Sequence, residues 1–170
     1  MGNAFAGEPF ALEPLFALAI GFTGTVALWW CYFQRVEPLG LERVETDDDA
    51  GAVGLWGTWT PTLIVLGLIG IAVGDELAIA HPGDNATLGF TVLAFGGAAL
   101  FLLAQLLFHR EVFGLVLRSR ALGLAALAII ALATAPLTLI VALAASSAVI
   151  VAVAITDTVH DGDQGPSGAA

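Results

Sequence analysis

Long uncharged apolar runs, separated by short polar segments, dominate this chain. From Leu15 to Phe33 no residue carries a charge, and about 19 residues at roughly 1.5 Å rise match a hydrocarbon core of roughly 30 Å. Similar runs follow, and we predict helical spans at about residues 12–34, 57–80, 86–108, 120–135 and 137–155. The pattern predicts an all-α fold, a polytopic transmembrane helical bundle of about five spans.

The last two predicted spans belong to one apolar run from Ala121 to Ile155. As a single helix this run would measure about 52 Å, well beyond the roughly 30 Å of the hydrocarbon core. The run must therefore fold back, and the corner is predicted at residues 134–138, around Pro136. A four-span alternative would move only the C-terminal tail to the other side.

Polar segments flank the predicted transmembrane domain of residues 12–155. Residues 1–11 are predicted to be an outer N-terminal segment, and residues 156–170, which are acidic and rich in glycine, a disordered cytoplasmic tail. The acidic loop at 34–55 lacks the ligand spacing of a calcium hand, so we interpret it as a solvated face. Residues 111–120 are expected to form a short interfacial turn of helix, with Arg118 and Arg120 facing phosphates.

Aromatic and capping residues indicate where the spans meet water. Five aromatic residues are predicted interfacial anchors, because amphipathic rings favour the headgroup layer: Trp29, Trp30, Tyr32, Trp56 and Trp59. In the second span Thr60 is predicted to cap the helix, with Pro61 as its first residue. Asn85 is predicted to cap the third span rather than to carry a glycan.

Glycines recur at spacings that place them on one face of a helix. Small side chains let transmembrane helices approach closely. The predicted packing positions are Gly21, Gly67, Gly70, Gly74, Gly96 and Gly97.

Composition agrees with a membrane protein and adds an unusual charge balance. The 170 residues are 58% hydrophobic, and 15 acidic residues outnumber five basic residues, all of them arginine, for a net charge of −10. At molar salt the Debye length falls to roughly 3 Å and acidic residues no longer repel one another, which indicates an extreme halophile.

The arginines also indicate an orientation. All five fall in segments that five spans would place on one side of the membrane, which predicts a multi-pass protein of the plasma membrane with its N-terminus outside and its C-terminus in the cytoplasm. They are Arg35, Arg43, Arg110, Arg118 and Arg120. No cationic segment precedes the first apolar run, so no signal peptide is expected.

Polar residues inside or close to the spans are the candidate site: Asp75, Glu76, His81, Gln105 and His109. Adjacent helix residues do not share a face, so at most one of Asp75 and Glu76 can point into the bundle. Both would be interfacial if their helix began at Trp56, whereas one would be deeply buried if it began at Pro61.

Motifs of enzymes and of nucleic-acid-binding proteins are absent from the sequence. It has no phosphate loop, nucleophile elbow, HExxH motif or basic cluster. Its single cysteine, Cys31, excludes an intrachain disulfide and a multi-cysteine metal site. We therefore expect no catalytic residues, metal or cofactor, and the lipid bilayer rather than nucleic acid as the surrounding partner.

Several landmarks together resemble a known family. They are ALWWCYF at 27–33, AHPG at 80–83, FGGAALFLLAQLLFHR at 95–110 and the final double span. From about Leu15 to Thr156 the chain resembles the C-terminal half of the low temperature requirement protein A (LtrA) family, in a haloarchaeal type. The resemblance implies a polytopic membrane protein of unsettled activity, associated with growth in the cold. The sequence lacks a match to the family's front half, with its acidic first-helix motif and Gly-Glu-Ser stretch. If activity needs that half, the resemblance implies a fragment, a partner-dependent half completed by another membrane chain, or a homo-oligomer.

Two functions follow as hypotheses. The first is a stress-adaptation or transport-type membrane protein in which Asp75 or Glu76, with Gln105, faces a cavity between helices. The alternative is a structural or assembly subunit, or a partner-dependent half of a larger membrane protein. An intramembrane enzyme that uses an acidic residue with His81 or His109 is the least favoured possibility.

Overall fold

A computed structural model describes the backbone of residues 12–43, 50–113, 117–134 and 136–162, and the side chains of residues 12–33, 58–111, 117–134 and 136–159. All regular structure in these ranges is helical. The elements are α1 (Leu12–Arg43), α2 (Ala50–Ala80), α3 (Leu88–Phe113), α4 (Arg118–Leu132) and α5 (Leu139–Gly162). The predicted all-α bundle is confirmed.

Four of the helices contain stretches long and apolar enough to cross a membrane. Their lengths are 21 to 24 residues, which at roughly 1.5 Å per residue covers a hydrocarbon core of about 30 Å. The stretches are Leu12–Phe33, Thr58–Ala80, Leu88–Glu111 and Leu139–Val159. The helices and their composition therefore support an integral membrane protein.

The remaining helix, α4, has 15 residues and is about 22 Å long. It begins beside the end of α3 and ends beside the start of α3, where the hydroxyl of Thr134, just after α4, lies 3.0 Å from that of Thr91 in the first turn of α3. Although α4 is short, it therefore returns the chain from one end of the bundle to the other. The five helices run alternately up and down. The corner between α4 and α5 falls at the predicted residues 134–138.

Two turns meet at one end of the bundle, which we call the turn end (residues 81–87, 133–134 and 136–138). The Ala86 N–H donates to the Leu137 carbonyl and the Leu139 N–H donates to the Asp84 carbonyl, both at 2.8 Å. Asn85, between these pairs, forms an isolated antiparallel bridge with Thr138. At the opposite end, the arginine end, α3 and α5 finish and α4 starts, with Arg110, Arg118 and Arg120.

Two predicted caps are wrong. Because α2 begins at Ala50, Pro61 lies inside the helix and Thr60 is not a cap; a proline inside a transmembrane helix is tolerated where its surroundings satisfy the freed carbonyl. The cap of α3 is Thr87, whose hydroxyl accepts a 3.2 Å hydrogen bond from the Phe90 N–H. Asn85 instead joins the two turns.

Helices also extend past several predicted boundaries. The backbone of α1 continues to Arg43 and that of α2 begins at Ala50, so most of the predicted loop at 34–55 is helical. Likewise α5 continues to Gly162, so residues 156–162, assigned above to the tail, lie in this helix. The predicted segment at 1–11, the remainder of the tail from residue 163, and the side chains of Trp56, Arg35 and Arg43 lie outside the described residues.

Glycines form the contact between α2 and α3. A Cβ atom added at Gly67 would lie 2.7 Å from the Gly97 carbonyl oxygen, and one at Gly70 would lie 3.1 Å from the Leu93 carbonyl oxygen. Similarly, a Cβ at Gly74 would lie 2.9 Å from that of Ala94. The two backbones therefore touch along about two turns, as small residues permit in lipid.

Apolar side chains divide between a core and an outer surface. The largest fully buried ones are Phe90, Phe101, Leu102, Leu127 and Leu143. Among the predicted anchors Trp29, Trp30 and Trp59 are 44–56% exposed, and Tyr32 is partly buried. Large apolar side chains exposed on every long helix are expected where the surrounding solvent is lipid.

Candidate functional site

Asp75 is the acidic side chain that α2 turns into the bundle. Its exposed fraction is 9%, whereas the adjacent Glu76 is exposed. Successive residues of an α-helix point about 100° apart, so only one of the pair faces the other helices. Asp75 lies five residues, or about 8 Å, from the end of α2, and therefore inside an apolar layer whose half-thickness is about 15 Å.

Glycine on α1 makes room for this carboxylate. A Cβ atom at Gly21 would lie 3.1 Å from the Asp75 Oδ2 atom, closer than most side-chain contacts. Gly21 was predicted as a contact point between helices, and its neighbour across the interface is the acidic side chain. The α1 backbone therefore forms one wall of the site.

Asp75 lines a small, partly open cavity between α1, α2, α3 and α5. Its volume is about 10 Å³, about the space of one water molecule. Two hydroxyl-bearing residues of α5, Ser146 and Ser147, also line it, together with Gly21, Gly24, Leu28, Ile71, Ala94, Ala98, Leu143 and Ile150. We call this the Asp75 cavity. Its polar lining consists of one carboxylate and two hydroxyl groups.

None of these polar groups is satisfied within the described part of the chain. No hydrogen bond or ion pair joins the Asp75 carboxylate, the Ser146 hydroxyl or the Ser147 hydroxyl to another described residue, although these oxygens, unlike Thr60 Oγ1 and Gln105 Nε2, are not fully buried atoms without a partner. Ser146 is only 6% exposed. Buried polar groups are normally hydrogen-bonded, and an unpaired acidic side chain inside a membrane is costly.

A second buried polar group lies near the arginine end and is fully paired. Arg120, with no exposed surface, forms an ion pair with Asp157, which is 1% exposed. The guanidinium group also donates to Gln105 Oε1 and to the Cys31 carbonyl oxygen, each at 3.1 Å. Ser119 donates to Asp157 at 2.6 Å. We call these residues the Arg120 cluster; it joins α1, α3, α4 and α5.

The prediction that Arg120 faces lipid phosphates is therefore wrong, whereas Arg118 is exposed. Arg120 follows Arg118 by two residues, so the two side chains project to opposite sides of α4. An arginine inside a membrane protein needs a counter-charge, and Asp157 on α5 provides it.

The predicted site residues do not come together in one place. Gln105 belongs to the Arg120 cluster, seven residues or about 10 Å along α3 from Ala98 of the Asp75 cavity, and its Nε2 atom has no partner among the described residues. His109 is buried, with Nδ1 2.8 Å from the Gln105 carbonyl oxygen. Glu76 and His81 are exposed on the surface. Of the five, only Asp75 lines the cavity.

Sequence reasoning missed Asp157, Ser119 and Ser146 as partners in polar sites. An Arg and an Asp in neighbouring apolar segments are the signal for a pair such as Arg120–Asp157, since each is too costly to bury alone. No comparable signal marks Ser146, because serine is common in transmembrane helices as a packing residue. Within the described residues, no three His, Cys, Asp or Glu side chains converge on a possible metal site.

Comparison with known proteins places the chain in context. The family model described as "Bacterial low temperature requirement A protein (LtrA)" matches residues 1–155. A protein of Rhizobium meliloti (strain 1021), named uncharacterized protein RA0937, is 33% identical over 86 residues, which is 50% of this chain and 21% of that protein. The matched stretch thus spans about a fifth of the relative's length. No solved structure matches the chain.

Proposed function

Because the chain belongs to the LtrA family, we propose that it is a transport-type membrane protein serving adaptation to stress, in which Asp75 is the polar group on the transport path. The family membership and the apolar helices establish a multi-pass membrane protein. The path and its residues are the proposal.

The observation that supports this proposal is that Asp75 is buried without a hydrogen-bond or ion-pair partner among the described residues. An aspartate at the centre of a transmembrane helix costs about 2.5–3.5 kcal/mol on insertion scales, and the cost is smaller for Asp75, which lies about 8 Å from the end of α2. Acidic residues inside a membrane generally pair with one another or mark ion and substrate pathways. In the same bundle Asp157 is neutralised by Arg120. Asp75 has no such partner among the described residues, which supports a ligand as the missing counterpart.

Ion flux in reconstituted vesicles tests the proposal. The full chain is placed in liposomes that contain a fluorescent indicator, and proton, sodium or potassium gradients are imposed in turn. We expect flux of at least one ion that Asp75→Asn abolishes and Glu76→Gln retains, because Glu76 is the exposed neighbour. Helix content and a single size-exclusion peak in detergent serve as folding controls. Absence of flux for all three ions, or equal flux with Asp75→Asn, would contradict the transport function.

The alternative is a structural or assembly role, or a partner-dependent half of a larger protein, and the length of the relative favours it. Only 21% of the Rhizobium protein is covered by the match. In this proposal the chain corresponds to the C-terminal half of the family, and a second copy or another membrane chain supplies the rest. Copurification of a second membrane chain with the tagged protein, together with vesicle flux that appears only when that chain is added, would favour this alternative.

We place the protein in the plasma membrane with its N-terminus outside. The exposed Arg110 and Arg118 at the arginine end support this orientation, because positively charged residues remain on the cytoplasmic side. The excess of acidic residues supports a haloarchaeal-type protein. Equal stability at low and multimolar salt would contradict the halophilic assignment.

A further inference from the structure

We propose that a groove between α1 and α2 binds one hydrocarbon chain of a phospholipid whose headgroup lies at the arginine end. We call it the α1–α2 groove. Among the described residues it shares Leu28 alone with the Asp75 cavity. The inference therefore goes beyond the proposed function and does not depend on transport.

The groove lies where α1 and α2 separate. Nearer the turn end the two helices are close, since a Cβ at Gly21 would lie 3.1 Å from Asp75 Oδ2. Toward the arginine end a space of about 390 Å³ opens between them, within the range of roughly 300–1,000 Å³ of sites that hold small apolar ligands. Three buried side chains form its floor: Leu28, Ile64 and Phe101. Four exposed side chains form its rim: Trp29, Phe33, Val65 and Leu68.

The lining of the groove is apolar and partly aromatic. No charged side chain of the described residues lines it, and the Thr25 hydroxyl already donates to the Gly21 carbonyl at 3.0 Å. The ring centroid of Phe33 lies 5.1 Å from that of Trp29 and 5.2 Å from that of Tyr32, so the three rings form one wall. Such a lining favours an apolar ligand over an ion or a polar substrate.

Bulky rim side chains exclude a second transmembrane helix as the occupant. Where helices of this chain touch, between α2 and α3, glycines at positions 67, 70 and 97 let the backbones approach. No glycine of the described helices lines the groove. Trp29 and Phe33 would hold a helix, which is about 10–12 Å wide, away from the floor. A single hydrocarbon chain is thinner and reaches it.

The position of the groove identifies the bilayer as the source of the chain. Its residues on α1 and α2 belong to the membrane-spanning stretches Leu12–Phe33 and Thr58–Ala80. The opening between these helices therefore faces the hydrocarbon of the lipid rather than water.

The arginine end favours a phospholipid over an uncharged apolar molecule. The aromatic wall lies at this end, because the Cys31 carbonyl, one residue before Tyr32, accepts a hydrogen bond from Arg120. Arg110 and Arg118 are exposed at the same end. Basic residues at a membrane surface attract the phosphate groups of lipids, so the headgroup lies there and the chain runs along the groove toward the turn end.

Quenching of tryptophan emission by a phospholipid with brominated chains tests the inference. The full chain is purified in detergent, stripped of lipid, and keeps Trp29 as its one tryptophan through Trp30→Phe, Trp56→Phe and Trp59→Phe. Bromine quenches on contact, so we expect a saturable loss of emission at one lipid per chain, added to a linear loss from lipid in the micelle. Unbrominated phospholipid should reverse the saturable loss. Absence of the saturable loss would overturn the site.

A second reporter separates binding from ordinary contact with the micelle. It carries Leu122→Trp on α4 as its one tryptophan. Leu122 is 70% exposed and follows Arg120 by two residues, while Trp29 precedes by two residues the Cys31 carbonyl that Arg120 bonds. The two reporters therefore lie at similar depth. Leu122→Trp should show the linear loss alone, and an equal saturable loss there would overturn the site.

Two adjacent substitutions on α2 test the groove itself. Val65 and Leu66 are 53% and 52% exposed, and of the two Val65 lines the groove. With Trp29 as reporter, Val65→Phe should weaken the saturable binding at least about tenfold, because the added ring takes the space of the chain. Leu66→Phe should leave it unchanged. Equal effects of the two variants would overturn the proposal, as would a stable dimer that shields Trp29 from the brominated lipid, which would assign the groove to a second copy.

Discussion

Arg120 on α4 and Asp157 on α5 form an ion pair with almost no exposure to the surroundings. Around it, Gln105 and the Cys31 carbonyl accept further hydrogen bonds from the guanidinium group. A buried pair of this kind adds little net stability relative to apolar residues, but removal of one partner leaves the other charge uncompensated. The Arg120 cluster therefore makes the alignment of four helices dependent on one charge balance.

The first prediction concerns this charge balance. Arg120→Met or Asp157→Leu alone should lower the free energy of unfolding by about 3 kcal/mol or more, because each leaves one unpaired buried charge. The double variant should recover most of the loss. Unfolding in detergent, followed by circular dichroism, measures all three. Arg118→Met is the matched control, since Arg118 is exposed; equal effects at positions 118 and 120 would contradict the cluster.

The second prediction compares two adjacent glycines of α3. Gly97→Ala should destabilise the protein by about 1–3 kcal/mol, because its Cβ would lie 2.7 Å from the Gly67 carbonyl oxygen and 2.8 Å from the Ile71 nitrogen. Gly96→Ala should be neutral or slightly stabilising, since the nearest side-chain atom is 4.0 Å away. Thermal unfolding of the two variants in the same detergent measures the difference. A larger loss at position 96 would refute the α2–α3 contact.

The third prediction uses Cys31 as a reporter of the arginine end. This cysteine is 1% exposed and is the single cysteine of the chain, so a maleimide should label the folded protein slowly and the unfolded protein completely. Asp157→Leu should accelerate labelling, because it disturbs the Arg120 side chain that donates to the Cys31 carbonyl. Glu76→Gln, a change distant along α2, should not. Rapid labelling of the unmodified folded chain would contradict the burial of Cys31.

The fourth prediction concerns the number of crossings. In a Cys31→Ser background, Gly83→Cys and Ala133→Cys should be labelled from one side of sealed vesicles, because both lie at the turn end. Arg118→Cys should be labelled from the opposite side, since α4 joins the two ends. Labelling of Ala133→Cys and Arg118→Cys from the same side would show that α4 does not cross the membrane.

Membrane-scale features were predictable because they depend on the length of apolar runs. The long spans and the corner at residues 134–138 follow from bilayer thickness, and helical periodicity allows at most one of Asp75 and Glu76 to face the bundle. That only one of the two acids faces inward needed no knowledge of the fold. Which one does so depends on how α2 is rotated against α1 and α3, and the contact at Gly21 sets that rotation.

Partners between distant segments were not predictable in this way. Arg120 was assigned, with Arg118, to the phosphate-facing side of a short interfacial helix, but its ion pair with Asp157 joins residues 37 positions apart. Pro61 resembles a helix start, yet α2 continues through it because a membrane helix tolerates an internal proline. Asn85 does not cap α3 because it forms a backbone bridge with Thr138, where the two turns meet.

Hydrogen bonds between helices at the two ends of the bundle restrict how α1 can move relative to the other helices. Among the described residues, the turn-end hydrogen bonds connect the α2–α3 turn with the α4–α5 turn and include no residue of α1. At the other end α1 is held through the Cys31 carbonyl and through the hydrogen bond from Trp30 to Thr158. A displacement of α1 that preserves these bonds is a pivot about its Cys31 region, and its amplitude grows toward Gly21. The fixed point of such a pivot, near Cys31, lies about ten residues along α1 from Gly21, the residue that would move away from the Asp75 carboxylate.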